Sequence, residues 1–186
     1  MDYILQIEKL FKYFEFNLNL EETRILYKIK RNFNNELNLL GCFVKDYLTI
    51  KNSGNVSEDS NIYNDFVILF ENLKENHSTK DIIEEFYNYS NYYLKIIFEE
   101  VENEKIEFAL ATINTCDALD SYPILIELFD KFYNQKIDSN YFYMMLQLIM
   151  DIVLKRFENP EQYNKDLAEL IKEANVLETS SERLAV

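Results

Sequence analysis

The sequence predicts an all-α fold, a compact bundle of about seven or eight helices. Three observations carry that expectation. The 186 residues include only 2 Gly and 2 Pro, which leaves few tight turns and no Gly-rich phosphate loop. Apolar residues recur at i, i+3, i+4 and i+7 along most of the chain. Side chains that cap helix starts stand ahead of several of these stripes. Hydrophobic residues make up 48% of the chain, enough for a sizeable core. The reading is a single domain over residues 1–175, with a flexible tail over 176–186, "LETSSERLAV".

Taken in order, a first helix is expected from about Asp2 to Phe16, with Ile4, Ile7, Leu10, Phe11 and Phe14 on one stripe. Asn19 and Glu22 in "NLEE" form a capping-box pattern for the next. That helix carries Ile25 through Leu48 on one stripe; it is long, so a bend is expected near Asn34–Asn35 or Gly41. The polar stretch Lys51 to Asn61, containing Gly54, reads as a loop. A third helix covers about Ile62 to Glu75. Ser78 or Thr79 caps a fourth, which runs to about Val101 with Ile82, Phe86, Tyr89, Tyr93 and Ile97 inward. Ile106, Ala109, Leu110, Ile113 and Cys116 line a short fifth helix.

Pro123 cannot continue that helix but suits the first turn of a sixth, with Asp120 or Ser121 as its cap. In the sixth helix, Ile124, Leu125, Leu128, Phe129 and Phe132 point inward, and Glu127, Asp130 and Lys131 outward. Asp138 or Ser139 caps a seventh, apolar nearly all round and so expected to be the most buried. "NPEQ" starts the last, with Asn159 as cap and Pro160 at its first position.

Charge is the most informative feature for function. The net charge is −14, and residues 61–130 alone hold 15 acidic and 4 basic groups, a balance of −11. An acidic face steers a basic partner and raises its association rate. The candidate contact residues are Asp81, Glu84, Glu85, Glu99, Glu100, Glu127 and Asp130, with Tyr87 and Tyr92 as aromatic anchors facing away from the core stripe. Direct nucleic-acid binding is disfavoured, because phosphates would meet this acidic region. "ETRILYKIKR" sets Arg24, Lys28 and Arg31 on one helix face, a small basic stripe expected to be solvated or paired with acids.

Catalytic chemistry finds little footing. His77 is the single histidine and reads as an exposed loop residue. Cys42 and Cys116 fall beside apolar residues and read as core. No Glu-x-x-His pair offers a helical di-metal site, and no phosphate-loop or dinucleotide fingerprint is present. Asp117 and Asp120, three apart, suit helix ends and turns. No cofactor and no metal are expected. An all-helical enzyme using Asp117, Asp120 or His77 is the alternative from a different class. The opening "MDYILQIEKLF" has no basic leader pattern, and the longest nearly apolar run, Tyr141 to Leu154, is short for a bilayer. The expectation is a cytoplasmic protein with no membrane partner.

The stretch "IEFALATINTCDALDSYPILIELFDKF" resembles a HEAT-type antiparallel helical hairpin: an Ala-Leu inner stripe, a short Asp-containing turn, then "PxLxxLF" opening the second helix. Small bacterial immunity proteins are similar to this pattern. The resemblance implies a hairpin geometry and a binding role. The expected function is therefore that of an immunity or antitoxin protein that blocks a basic toxin by stoichiometric binding. A phage- or virus-encoded inhibitor of a nucleic-acid-binding host defence protein, acting by charge mimicry, is the alternative within that class.

Overall fold

A computed structural model describes residues 3–52, 54–55, 61–163 and 165–170. These residues are helical and contain no strand. In order they form α1 (Tyr3–Asn17), α2 (Leu20–Asn32), α3 (Leu37–Lys51), α4 (Ile62–Leu73), α5 (Thr79–Phe98) and α6 (Glu104–Thr115). A single 3-10 turn (Leu119–Ser121), α7 (Tyr122–Tyr133) and α8 (Ser139–Leu154) follow. Residues 160–163 and 165–170 are helical again. The fold is all-α, as the composition and periodicity require. The chain divides into two compact units, Met1–Asn91 and Tyr92–Val186. The stretch expected to be a tail, 176–186, lies outside the described residues.

In the first unit α1 packs on α3 and α4, and α3 on α4. The core is aromatic. Phe86 of α5 sits 4.9 Å from Phe43 and 5.0 Å from both Tyr47 and Phe66, centroid to centroid. Phe14 meets Phe70 edge-on at 5.0 Å. These tilted and edge-on geometries are the favourable ones for rings. Ile4, expected on the inner stripe of α1, is 42% exposed, because the buried face is set by Ile7, Leu10, Phe11 and Phe14.

The helix expected to bend near Asn34–Asn35 instead stops there. Asn34 and Asn35 take φ of 52° and 60°, and the Asn35 N–H bonds back to the Lys30 carbonyl at 3.1 Å. Asparagine tolerates this left-handed turn better than most residues. Gly41 causes no bend; it lies inside α3, where an added Cβ would stand 2.7 Å from the Tyr3 Cβ.

The same stop recurs on residues that do not favour it. Glu99, Asp117 and Gln135 have φ of 56°, 52° and 58°. The residue after each donates its N–H five positions back: Glu100 to Lys95, Ala118 to Ile113, Lys136 to Lys131. This is the hydrogen bond of a Schellman-type ending, usually built on glycine. A chain with 2 Gly builds it on Asn, Glu, Asp and Gln instead. For α5 this explains the stop at Phe98 rather than Val101.

In the second unit α6 and α7 both pack on α8. The break between α6 and α7 falls where Pro123 places it, and the two apolar stripes share α8 as a third helix. The caps differ from expectation: Ser121 precedes α7 without a side-chain cap bond, its hydroxyl donating backward to the Ala118 carbonyl at 2.7 Å. Asp138 does cap α8, accepting from the Tyr141 N–H at 2.8 Å, and Asn159 accepts from the Gln162 N–H at 3.2 Å. The most buried element is α7, in place of α8. Every residue from Tyr122 to Lys131 is buried, whereas Met144, Leu148 and Leu154 of α8 are exposed. Glu127, Asp130 and Lys131, expected to point outward, are therefore interior residues, at 4%, 6% and 2% exposure. Their charges are compensated inside: Lys131 Nζ stands 3.4 Å from Glu127 Oε1, and Asp130 accepts from the Asn134 amide at 2.8 Å.

Candidate functional site

In the first unit the acidic candidates lie on the first two turns of α5. Asp81 is exposed and takes part in the helix start: Ser78 Oγ accepts from its N–H at 3.1 Å and donates to its carboxylate at 2.6 Å. Glu84 is exposed and stands 3.8 Å from Lys80, which also meets Glu21 at 3.3 Å. Glu85 is half-buried. It accepts the hydroxyl of buried Tyr47 at 2.7 Å and meets Lys51 at 3.0 Å. Burial, and then the Glu85 charge, push the Tyr47 phenol well above its ordinary pKa. Glu85 thus satisfies a core tyrosine while its own side chain stays 42% exposed.

Tyr87, the proposed anchor, lies in a seam of polar side chains between α2 and α5. Lys80 meets Glu21, the Lys28 ammonium lies 4.5 Å from the Tyr87 ring centre, and Asn32 donates to Asn91 at 3.2 Å. Positions on the two helices advance together, so α2 and α5 run side by side in the same direction. Lys28, then Asn91 and Asn32, hydrogen bond to the Tyr87 phenol and hold its pKa below the ordinary value.

In the second unit Glu99 accepts the Asn114 amide at 3.0 Å. That amide also caps the end of α5 by donating to the Ile96 carbonyl at 3.0 Å, while its oxygen accepts the Tyr122 hydroxyl at 2.9 Å. Tyr92 is half-buried and stacks on Tyr133 at 5.5 Å with the rings 5° from parallel. Burial, then Asp130, push its phenol up to about 12. Glu127 and Asp130 are removed from any contact surface by their burial. Glu100 is exposed, and so are Glu102, Glu104 and Glu107, which charge counting did not single out. Glu104, Glu107 and Phe108 share one face of α6 by helical spacing, and Phe108 is 66% exposed. The signal available in the sequence was the run "EEVENEKIEF", five glutamates against Lys105, next to an aromatic off the α6 core stripe.

The corner between α6 and α7 is structural. Asp117 is exposed and left-handed; its carbonyl and that of Cys116 accept from the Arg156 guanidinium at 2.8 and 3.4 Å. An arginine there satisfies the free carbonyls of a helix end and complements its dipole. The Asp120 carboxylate accepts the Tyr163 hydroxyl. The Tyr163 phenol is raised, mostly by burial and then by that bond. Cys116 and Cys42 are half-buried rather than core, Cys116 because it is already the residue that ends α6. His77 is exposed between α4 and α5.

Among the described residues no group of three or more His, Cys, Asp or Glu side chains could hold a metal ion. No described helix is long and apolar enough to cross a membrane. Comparison with protein-family models, with curated proteins and with solved structures gives no match.

Proposed function

We propose that the chain is a protein-binding module for a basic protein partner and does no catalysis. Its most specific form is an immunity- or antitoxin-type inhibitor that neutralises a basic toxin by stoichiometric binding. The observation that carries this reading is the acidic rim ahead of and on α6. Glu100, Glu102, Glu104 and Glu107 are exposed there, beside the exposed ring of Phe108. A solvent-facing aromatic edged by carboxylates suits a partner that offers an apolar pocket bordered by Lys or Arg: the ring supplies the anchor and the charges supply steering. Asp81 and Glu84 add exposed charge of the same sign in the first unit. The enzyme reading has less support, since the Asp120 carboxylate is engaged by Tyr163 and Asp117 serves the helix end through its backbone.

Co-expression tests the proposal. Growth arrest by a basic toxin encoded beside this gene is expected to be relieved by the chain. The association rate of the pair is expected to fall markedly between about 50 and 500 mM salt, as surface charges become screened. The variant Glu104→Lys/Glu107→Lys/Phe108→Ala is expected to lose the relief while keeping its helical circular dichroism. Unchanged relief by that variant, or a salt-independent association rate, overturns the reading.

A further inference from the structure

The α2 face bearing Arg24, Lys28 and Arg31 differs in character from the rest of this chain. Residues 24–32 hold four basic side chains and no acidic one, in a protein of net charge −14. Abundant carboxylates would be expected to claim each of these cations. They do not: Arg24 and Arg31 are exposed and make no ion pair among the described residues. Lys28 is spent on Tyr87 rather than on an acid. Of the carboxylates along the seam, Glu21 and Glu84 are both engaged by Lys80. Glu85 serves Tyr47 and Lys51, and Asp81 serves Ser78.

Beside this face the seam is polar: the Lys28 ammonium lies 4.5 Å from the Tyr87 ring centre, and one turn on Asn32 donates to Asn91 at 3.2 Å. Arg24 and Arg31 stand one turn before and one turn after Lys28 on the same face. Their positions are seven residues apart, about 10 Å along a helix.

We propose that this face, Arg24, Lys28 and Arg31 with Tyr87, Asn32 and Asn91, is a binding site for a small ligand carrying two or more linked phosphate groups. Arginine forks match phosphate oxygens two at a time, and the Lys28 ammonium between them meets the middle of the chain of charge. A compact ligand is favoured over a nucleic-acid strand, because a strand running beyond the stripe enters the field of a protein with 33 acidic residues against 19 basic. The inference is independent of the proposed basic partner, whose aromatic anchor, Phe108, is on α6 in the other unit.

Calorimetric titration of the full chain at about 100 mM salt, where distant charges are largely screened, tests it. The probes are sodium tripolyphosphate, orthophosphate and a short single-stranded DNA at matched phosphate concentration. Tripolyphosphate is expected to bind one to one, and Arg24→Gln/Arg31→Gln to weaken it about tenfold or more, with Lys28→Gln acting in the same direction. Lys9→Gln/Lys12→Gln removes the same charge from exposed positions on α1 and is expected to leave binding unchanged. All these positions are on the surface, so the thermal midpoint should hold. No binding of tripolyphosphate, equal affinity for orthophosphate, or equal loss in the α1 control overturns the site. Tighter binding of the DNA than of tripolyphosphate overturns the ligand class.

Discussion

Replacing Lys131 by methionine is expected to be among the most damaging single changes in the second unit. The two side chains are 3% and 5% exposed, and Lys131 Nζ stands 3.4 Å from Glu127 Oε1. At that distance and an effective dielectric of about 20, the attraction is about 5 kcal/mol. Much of it only offsets the cost of taking both charges out of water. Removal of one partner takes an opposite charge at 3.4 Å away from the other, which stays buried, at a cost of about 3–5 kcal/mol. Replacing both, as Glu127→Leu/Lys131→Met, keeps volume and removes both desolvation penalties; it is expected to fall between neutral and about 4 kcal/mol stabilising. Urea unfolding of the two single variants and the double, followed by far-UV circular dichroism, closes a double-mutant cycle. A cost under about 1 kcal/mol for Lys131→Met, or single costs that simply add in the double, would refute the account of a coupled interior pair. Leu128→Ala, a neighbour at 4% exposure, should cost a similar 2–5 kcal/mol or so by opening a cavity.

Three further outcomes follow from the geometry. Gln135→Gly is expected to stabilise by about 1 kcal/mol, because glycine accepts the left-handed turn without the penalty an L side chain carries, whereas Glu99→Gly gains less because it also loses the bond from the Asn114 amide; a fall in thermal midpoint for Gln135→Gly would contradict this. Gly41→Ala is expected to destabilise despite its better helix propensity, by about 1–3 kcal/mol in chemical unfolding, because the new Cβ meets Tyr3; a gain would show that Tyr3 gives way. In an ultraviolet titration of the tyrosines, Tyr87 should ionise first and be lost from the early step in Tyr87→Phe. Tyr47, Tyr92 and Tyr163 have raised folded-state pKa values. Their protonated forms support folding fully below about pH 10, the unfolded value, and that support is lost as pH climbs through the folded values, about 12 for Tyr92. Unfolding above pH 10 is the expected result, and full stability at pH 12 would contradict it.

The helices were legible because 3.6-residue periodicity and side-chain caps are local signals. Asn19 with Glu22, Ser78, Asp138 and Asn159 each start a helix where the sequence puts them. The stops were harder to see. Glu99, Asp117 and Gln135 adopt the glycine conformation without being glycine, so composition hides them. Burial on α7 was hidden for a related reason. Glu127, Asp130 and Lys131 look like an outer face when only one helix is considered, and only packing of neighbours onto every side shows that they lie inside. The consequence reaches the candidate surface: two of the acidic residues assigned to it by charge counting belong to the interior, whereas Glu102, Glu104 and Glu107 carry exposed charge. The α2 stripe was visible as a pattern; that two of its cations lack acidic partners needed the structure.

The Arg156 clasp on the end of α6 sets an order of events during synthesis. The guanidinium arrives 40 residues after the Cys116 carbonyl it closes. At about 5–20 residues per second the ribosome takes roughly 2–8 s to cover that interval, whereas a helix forms within microseconds. While the chain is being made, α6 therefore waits with its last carbonyls open to water. Asp117 has no clasp to hold its turn until the end of α8 has emerged. A chain released just before Arg156 would carry α6, α7 and all of α8 but leave that corner unlatched.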